Sequence, residues 1–172
     1  MASFENKWTK SGFEVDSLPK AFQQAQVHMK LLVAVGPSKM KFSPQDDAIY
    51  ESFRKEFPKF DVTNVKTDLH EAMKSGENSE QWKNWMEQFK DTLKDAENGS
   101  LLRIDPSNGY TTTNSTICVR AQFLAIEIAR NKEKSQQINC ECVQESRCWK
   151  FWRMLQQMLN SHQPVLKVIL LF

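Results

Sequence analysis

Glycine is scarce in this chain. Five occur among 172 residues (Gly12, Gly36, Gly76, Gly99 and Gly109), too far apart to write a phosphate-cradling loop or a dinucleotide-binding fingerprint. Nucleotide enzymes built on those two loops are excluded. No uninterrupted apolar run exceeds five residues, against the roughly 20 that a membrane-crossing helix needs, so no span is expected. Charge of one sign is lacking too: 23 Lys and Arg face 21 Asp and Glu. No basic footprint for nucleic acid stands out. The first sixteen residues have neither an apolar stretch nor a small-residue cleavage site, which points to an unsecreted, cytoplasmic protein. The four cysteines are then expected as reduced thiols, and the sequons at Asn98 and Asn114 are expected to go unused.

What is present is helical periodicity. Leu18, Phe22, Ala25, Met29 and Leu32 recur at steps of 4, 3, 4 and 3, which stacks them on one helical face. Ser17 is the expected cap, Pro19 suits the first turn, and Gly36-Pro37 stops the helix. Ser43-Pro44-Gln45-Asp46 reads as a second start. There Ser43 is placed to accept a first-turn amide, Asp46 and Asp47 suit the positive helix end, and Pro58 ends the element. A weaker pattern of Val62, Val65, Leu69 and Met73 precedes Gly76. Ser79 opens a helix with Trp82, Trp85, Met86, Phe89, Leu93 and Ala96 on one face, running to Asn98-Gly99. Leu101 to Ile104, the turn-rich Asp105 to Gly109, and Tyr110 to Thr113 predict a hairpin. Ile117 to Ala129 is almost wholly apolar and predicts the central helix. The expected fold is mainly α: a compact orthogonal-type helical bundle of about five helices with one small β-hairpin. It divides into a flexible N-terminus (1–16), a helical domain (17–134) and a Cys- and Trp-containing tail (135–172).

Arg120, Gln122 and Glu127 interrupt the central helix. Arg120 and Glu127, seven residues apart, share a face, with Arg130 and Asn131 a turn further on. Leaving one such charge buried without its partner costs ~3–5 kcal/mol. The stripe is therefore expected to be internally paired, with Arg103 a further member, or to line a partner-binding groove. General acid–base chemistry needs a cleft and a tuned partner, and no histidine lies nearby in sequence. Asp46, Asp47 and Glu51, with Tyr50 and Arg54, make a charged rim around one aromatic, the composition of a surface that reads a basic client.

Several other features carry plainer expectations. Cys140-x-Cys142-x5-Cys148 with His162 offers zinc-ligand types, but the Cys-x-Cys spacing pinches a chelate, so free thiols and no metal are expected. His28 and His70 are expected as ordinary packed or surface histidines. Cys118, at the head of a helix, is expected as a small core residue. The Trp82 stripe is expected as core. The tail's Trp149, Trp152, Leu155 and Leu159 pattern and its apolar end have too few basic residues for a membrane-surface helix.

Four blocks then stand out in order: Asp46-Asp47-Ala48-Ile49-Tyr50-Glu51-Ser52-Phe53-Arg54-Lys55, Leu101-Leu102-Arg103-Ile104-Asp105, Gly109-Tyr110-Thr111, and Gln122-Phe123-Leu124-Ala125-Ile126-Glu127-Ile128-Ala129-Arg130-Asn131. Over about residues 18–134 the chain resembles the eukaryotic family named polysaccharide biosynthesis domain-containing protein. That resemblance implies a small helical cytosolic protein that assists biogenesis of translation elongation factor 1-alpha. It implies action on the nascent GTP-binding domain at the ribosome, with ribosome-associated factors as further partners. It brings no catalytic residue and no cofactor. Val119 departs from the family by standing where a proline is expected, and after Lys134 the familiar pattern stops. Client contact is expected at Asp46, Asp47, Tyr50, Arg54, Arg103, Arg120, Glu127, Arg130 and Asn131, in a monomer that binds no nucleic acid. The alternatives are an enzyme of polysaccharide biosynthesis or methyl transfer, and a plain interaction adaptor.

Overall fold

The computed structural model describes residues 8–65, 69 and 78–136. Among the described residues the α-helices with defined bounds are α1 (Leu18–Val35), α2 (Asp46–Glu56), α3 (Ser79–Glu87) and α4 (Arg120–Lys132), and the strands are β1 (Gly99–Arg103) and β2 (Ser115–Val119). The architecture is mainly α with a two-stranded antiparallel sheet, the class expected. Among the described residues no helix is long and apolar enough to cross a membrane.

Helix α1 has the predicted bounds but a different start. Ser17 Oγ does not cap it; it donates to the Glu14 carbonyl at 2.7 Å and accepts the Trp8 indole N–H at 3.2 Å. Gly36 ends the helix at φ +83°, a left-handed value that favours glycine. At α2 the predicted cap is inverted. The Asp46 carboxylate reaches back to accept the Phe42 and Ser43 amides at 3.0 and 2.8 Å, while Ser43 Oγ accepts from Gln45, ahead of the helix. Helix α3 stops at Glu87, well before the predicted Asn98-Gly99. Amides beyond it bond three residues back, as Phe89 does to Met86 at 3.0 Å, and Asp95 takes a positive φ. Phe89 and Leu93 stay buried all the same, because apolar spacing follows the core and not the helical hydrogen bonds. Gly99 is a strand residue. A Cβ on it would lie 2.6 Å from the Trp8 ring, so a side chain there would overpack the contact.

The hairpin is built from a different second arm. Leu101 pairs with Ile117 and Gly99 with Val119, so Tyr110–Thr113 is loop. Asn114 holds that loop: its Oδ1 accepts the Asp105 amide at 2.9 Å, and its Nδ2 donates to the Asp105 and Gly109 carbonyls at 3.0 Å each. Consequently the central helix begins at Arg120, and Ile117–Val119, predicted helical, form strand. The run reads as unbroken because this hairpin is covered on both faces. Leu101 and Ile117 pack with α1 and Trp8, whereas Leu102 and Cys118 pack with α2, α3 and α4. Val119 serves where a proline would not: its amide donates to Gln122 Oε1 at 3.2 Å, a bond for which proline has no N–H. Cys118 is thus a buried strand residue whose thiol pKa burial pushes up, away from reactivity.

The described residues are packed at both ends. Trp8, fully buried, packs its ring 5.0 Å from Phe13. At the other end Gln136 is buried. The α2–α3 side of the core is aromatic: Phe57 stacks on Trp82 at 4.1 Å, and Phe53 meets Trp82 at 5.9 Å and Trp85 at 6.1 Å. Such pairs each add ~0.5–1.5 kcal/mol beyond area burial. Val62, Val65 and Leu69 are buried as predicted. His70, Met73, Gly76, Cys140, Cys142, Cys148, His162 and the tail from 137 lie outside the described residues.

Candidate functional site

The sequence-selected residues separate into three places. The first is a sealed ionic cluster under the hairpin. Arg103, Glu127 and Arg130 are each 0% exposed. Glu127 Oε1 accepts from Arg130 Nη1 at 2.7 Å, and Oε2 accepts from Arg103 Nη2 at 3.2 Å and from Gln136 Nε2 at 2.7 Å. Arg130 also donates from Nε to the Val62 carbonyl at 2.7 Å and from Nη2 to the Arg103 carbonyl at 2.9 Å. Arg103 adds the Pro106 carbonyl and Gln136 Oε1, at 2.8 and 2.6 Å. Asn131 joins at the edge, accepting from Gln136 Nε2 at 2.8 Å.

Two guanidiniums thus surround one carboxylate, and burial sets the protonation of the neighbours. Burial acts to raise the Glu127 carboxyl, but Arg103 and Arg130 outweigh it and hold the pKa down at about 2. His28 is lowered to about 4, first by burial and then by those arginines, with Glu127 opposing, so its ring is neutral at pH 7. Its Nε2 lies 3.6 Å from Glu127 Oε2 and its Nδ1 2.8 Å from the Tyr110 hydroxyl. The carboxylate favours the proton on Nε2, leaving Nδ1 to accept from Tyr110. Burial, then Glu127, raises the Tyr110 hydroxyl pKa, which keeps it a neutral donor.

The second place is a surface cluster where α2 crosses the end of α4. Arg54 donates from Nε and Nη2 to the two Glu133 oxygens at 2.6 and 2.8 Å, and from Nη1 to the Phe60 carbonyl at 2.8 Å. Tyr50 donates to Glu133 at 3.3 Å, Lys132 stands 5.3 Å over the Tyr50 ring, and Lys132 pairs with Asp47. That hydrogen bond and the Lys132 charge pull the Asp47 carboxyl below its ordinary range. Asp46 turns inward as the α2 cap. The rim expected to meet a client therefore also joins two helices.

The third place is a groove of about 420 Å³. Arg120, half-buried, opens into it and takes no part in the Glu127 cluster. Starting α4 three residues later than predicted still leaves Arg120 and Glu127 on one helix, yet Arg120 sits at its first position, at the mouth. Helix α1, Met40 to Phe42 and the first turn of α4 form the walls. His28, Phe42 and Phe123 make an aromatic floor with ring centres 5.2 to 5.9 Å apart. Buried in the wall, Ser100 Oγ has no hydrogen-bond partner among the described residues.

Sequence reasoning missed His28, Tyr110 and Gln136 as members of the cluster, and Lys132 and Glu133 on the surface. His28 could have been found, since it follows Ala25 by three on the apolar face of α1. Gln136 carried no local signal.

Comparison with known proteins agrees on one relationship. A family model described as "PBDC1 protein" matches residues 14–141. A Saccharomyces cerevisiae protein named "Protein PBDC1 homolog" is 41% identical over 113 residues, 65% of this chain and 77% of the relative. Human "Protein PBDC1" is 40% identical over 116 residues, 66% of this chain and 48% of the relative, so the match spans about half the human protein. A solution NMR structure of a Saccharomyces cerevisiae protein superposes with a TM-score of 0.61 at 35% identity, covering 72% of this chain and 88% of that one.

Proposed function

This chain belongs to the PBDC1 protein family, and from that premise we propose a non-enzymatic chaperone that binds the nascent GTP-binding domain of translation elongation factor 1-alpha in the cytoplasm, beside the ribosome. It covers the incompletely folded module until nucleotide completes it, and then lets go. The observation that supports this reading is the division of polar chemistry. Glu127, the most perturbed carboxylate, is enclosed by its own arginines, whereas the open concavity pairs an apolar floor with a cationic rim, a composition suited to polypeptide.

The test is calorimetric titration of the whole chain with that GTP-binding domain, with and without GTP. Nucleotide-free domain should bind at least tenfold tighter, ~1.4 kcal/mol. Equal affinities in the two states would remove the release step, and no binding in either would remove the reading. An enzyme of polysaccharide biosynthesis or methyl transfer instead predicts stabilisation by its donor. Nucleotide sugar or S-adenosylmethionine at 100 times its dissociation constant would add ~2.7 kcal/mol; the chaperone reading expects none.

A further inference from the structure

The outer side of α1 is less polar than a solvent-facing helix requires. Val27, Leu31 and Val35 stand at steps of four, so they line one face, and they are 50%, 42% and 44% exposed. Val27 and Leu31 form one lip of the groove that Phe123 and Phe42 floor. Its charged lining residues are Lys20, Lys41 and Arg120. Among the described residues none of the three forms an ion pair. An apolar trough with a rim of one sign selects for an occupant of opposite sign. Along α1 the trough extends from Lys20 to Leu31, about 16 Å or three helical turns, which matches an amphipathic helix laid in a groove.

We propose that this groove docks a helical segment of a partner polypeptide with a leucine-rich face flanked by Asp and Glu. Aliphatic side chains displace water from the floor, and carboxylates meet Lys20, Lys41 and Arg120. The chain's own tail is the wrong sign for the site: residues 137–172 contain Arg147, Lys150, Arg153 and Lys167 against Glu141 and Glu145, bringing positive charge to a positive rim. The inference concerns the chemistry of the occupant, and it holds or fails separately from the identity of the client.

The test is fluorescence anisotropy on the whole chain with three labelled synthetic helical peptides of about 15 residues, roughly four turns: one with a leucine face flanked by Glu, the same with Lys for Glu, and a scramble of the first. The Leu/Glu peptide should bind at least tenfold tighter than either other. Leu31→Asp should weaken it tenfold, and the double variant Lys41→Glu with Arg120→Glu should also reverse the preference toward the Lys peptide, each variant retaining the parent melting curve. Equal binding of all three peptides, no binding of the first, or unchanged binding by the variants overturns the proposal. So does a Leu31-dependent dimer in sedimentation, or binding that appears only after residues 137–172 are cleaved off, because each assigns the groove another occupant. Running the GTP-binding domain in parallel separates the two ideas: peptide binding without domain binding defeats the proposed client alone, and domain binding without peptide binding defeats this site alone.

Discussion

Helix α4 and the residue that caps its end carry two glutamates six residues apart, and they show how differently the same ion chemistry behaves with burial. Glu127 is fully enclosed with Arg103 and Arg130; Glu133 meets Arg54 at the surface. Both are multiply hydrogen-bonded. Around Glu127, however, water has been replaced by protein donors, so each charge depends on its partners for solvation. At Glu133 solvent takes over whenever a contact opens, and salt screens what remains. The buried cluster reports on fold integrity, and the outer one on helix docking.

The sharpest way to break that contrast is Glu127→Gln, which leaves two guanidiniums buried against a neutral amide. Urea unfolding should show a loss of ~3–5 kcal/mol; a loss under 1 kcal/mol would make the two clusters equivalent. Acid comes next. The folded pKa of His28, about 4, lies below its unfolded value of 6.5, so the unfolded chain takes up the proton first and stability falls as pH drops from 6.5 to 4. The loss is roughly 3 kcal/mol across that window. Glu127, at about 2 folded against 4.5 unfolded, adds loss as pH falls from 4.5 toward 2. A His28→Gln variant should flatten the upper part of the curve, and an unchanged slope would remove His28 from the cluster's charge balance.

On the surface side, Glu133→Ala should cost only ~0.2–1 kcal/mol, and less at high salt. An effect as large as that of Glu127→Gln would show that exposure does not separate them. The smallest change belongs to Lys132→Ala. Its partner Asp47 is solvent-exposed, so no shift in the unfolding midpoint should be resolved, while the Asp47 carboxyl measured by NMR titration should rise toward its ordinary value. A carboxyl that does not move would remove the pair.

Much of this arrangement was legible before any coordinates. The Leu18, Phe22, Ala25, Met29 and Leu32 spacing located α1 because a helix buried along one face must repeat its apolar residues near every 3.6 positions. The pairing of Glu127 with an arginine followed from the cost of a lone buried charge. One error, the start of the central helix, has its origin in burial on two sides. Where β2 runs directly into α4, both faces of the strand and most faces of the helix are covered, so neither the period of two nor that of 3.6 appears. Pro106, Asn108 and Gly109 correctly marked a turn, but Asn114, whose side chain closes the loop, displaced the second strand toward the C-terminus.

Composition and local spacing alone were enough to decide the class of the fold, the places where helices occur and the need for an internal counter-ion, because each depends on residues within a few turns of one another. Which arginines answer Glu127, that Trp8 closes over Gly99, and that Arg120 belongs to a groove were decided by contact across the chain. Arg103 and Glu127 are 24 residues apart, and Arg130 and the Val62 carbonyl it holds are 68 apart. Polar groups at such distances share no periodicity, and they find each other only when packing has excluded the water that would otherwise have satisfied them.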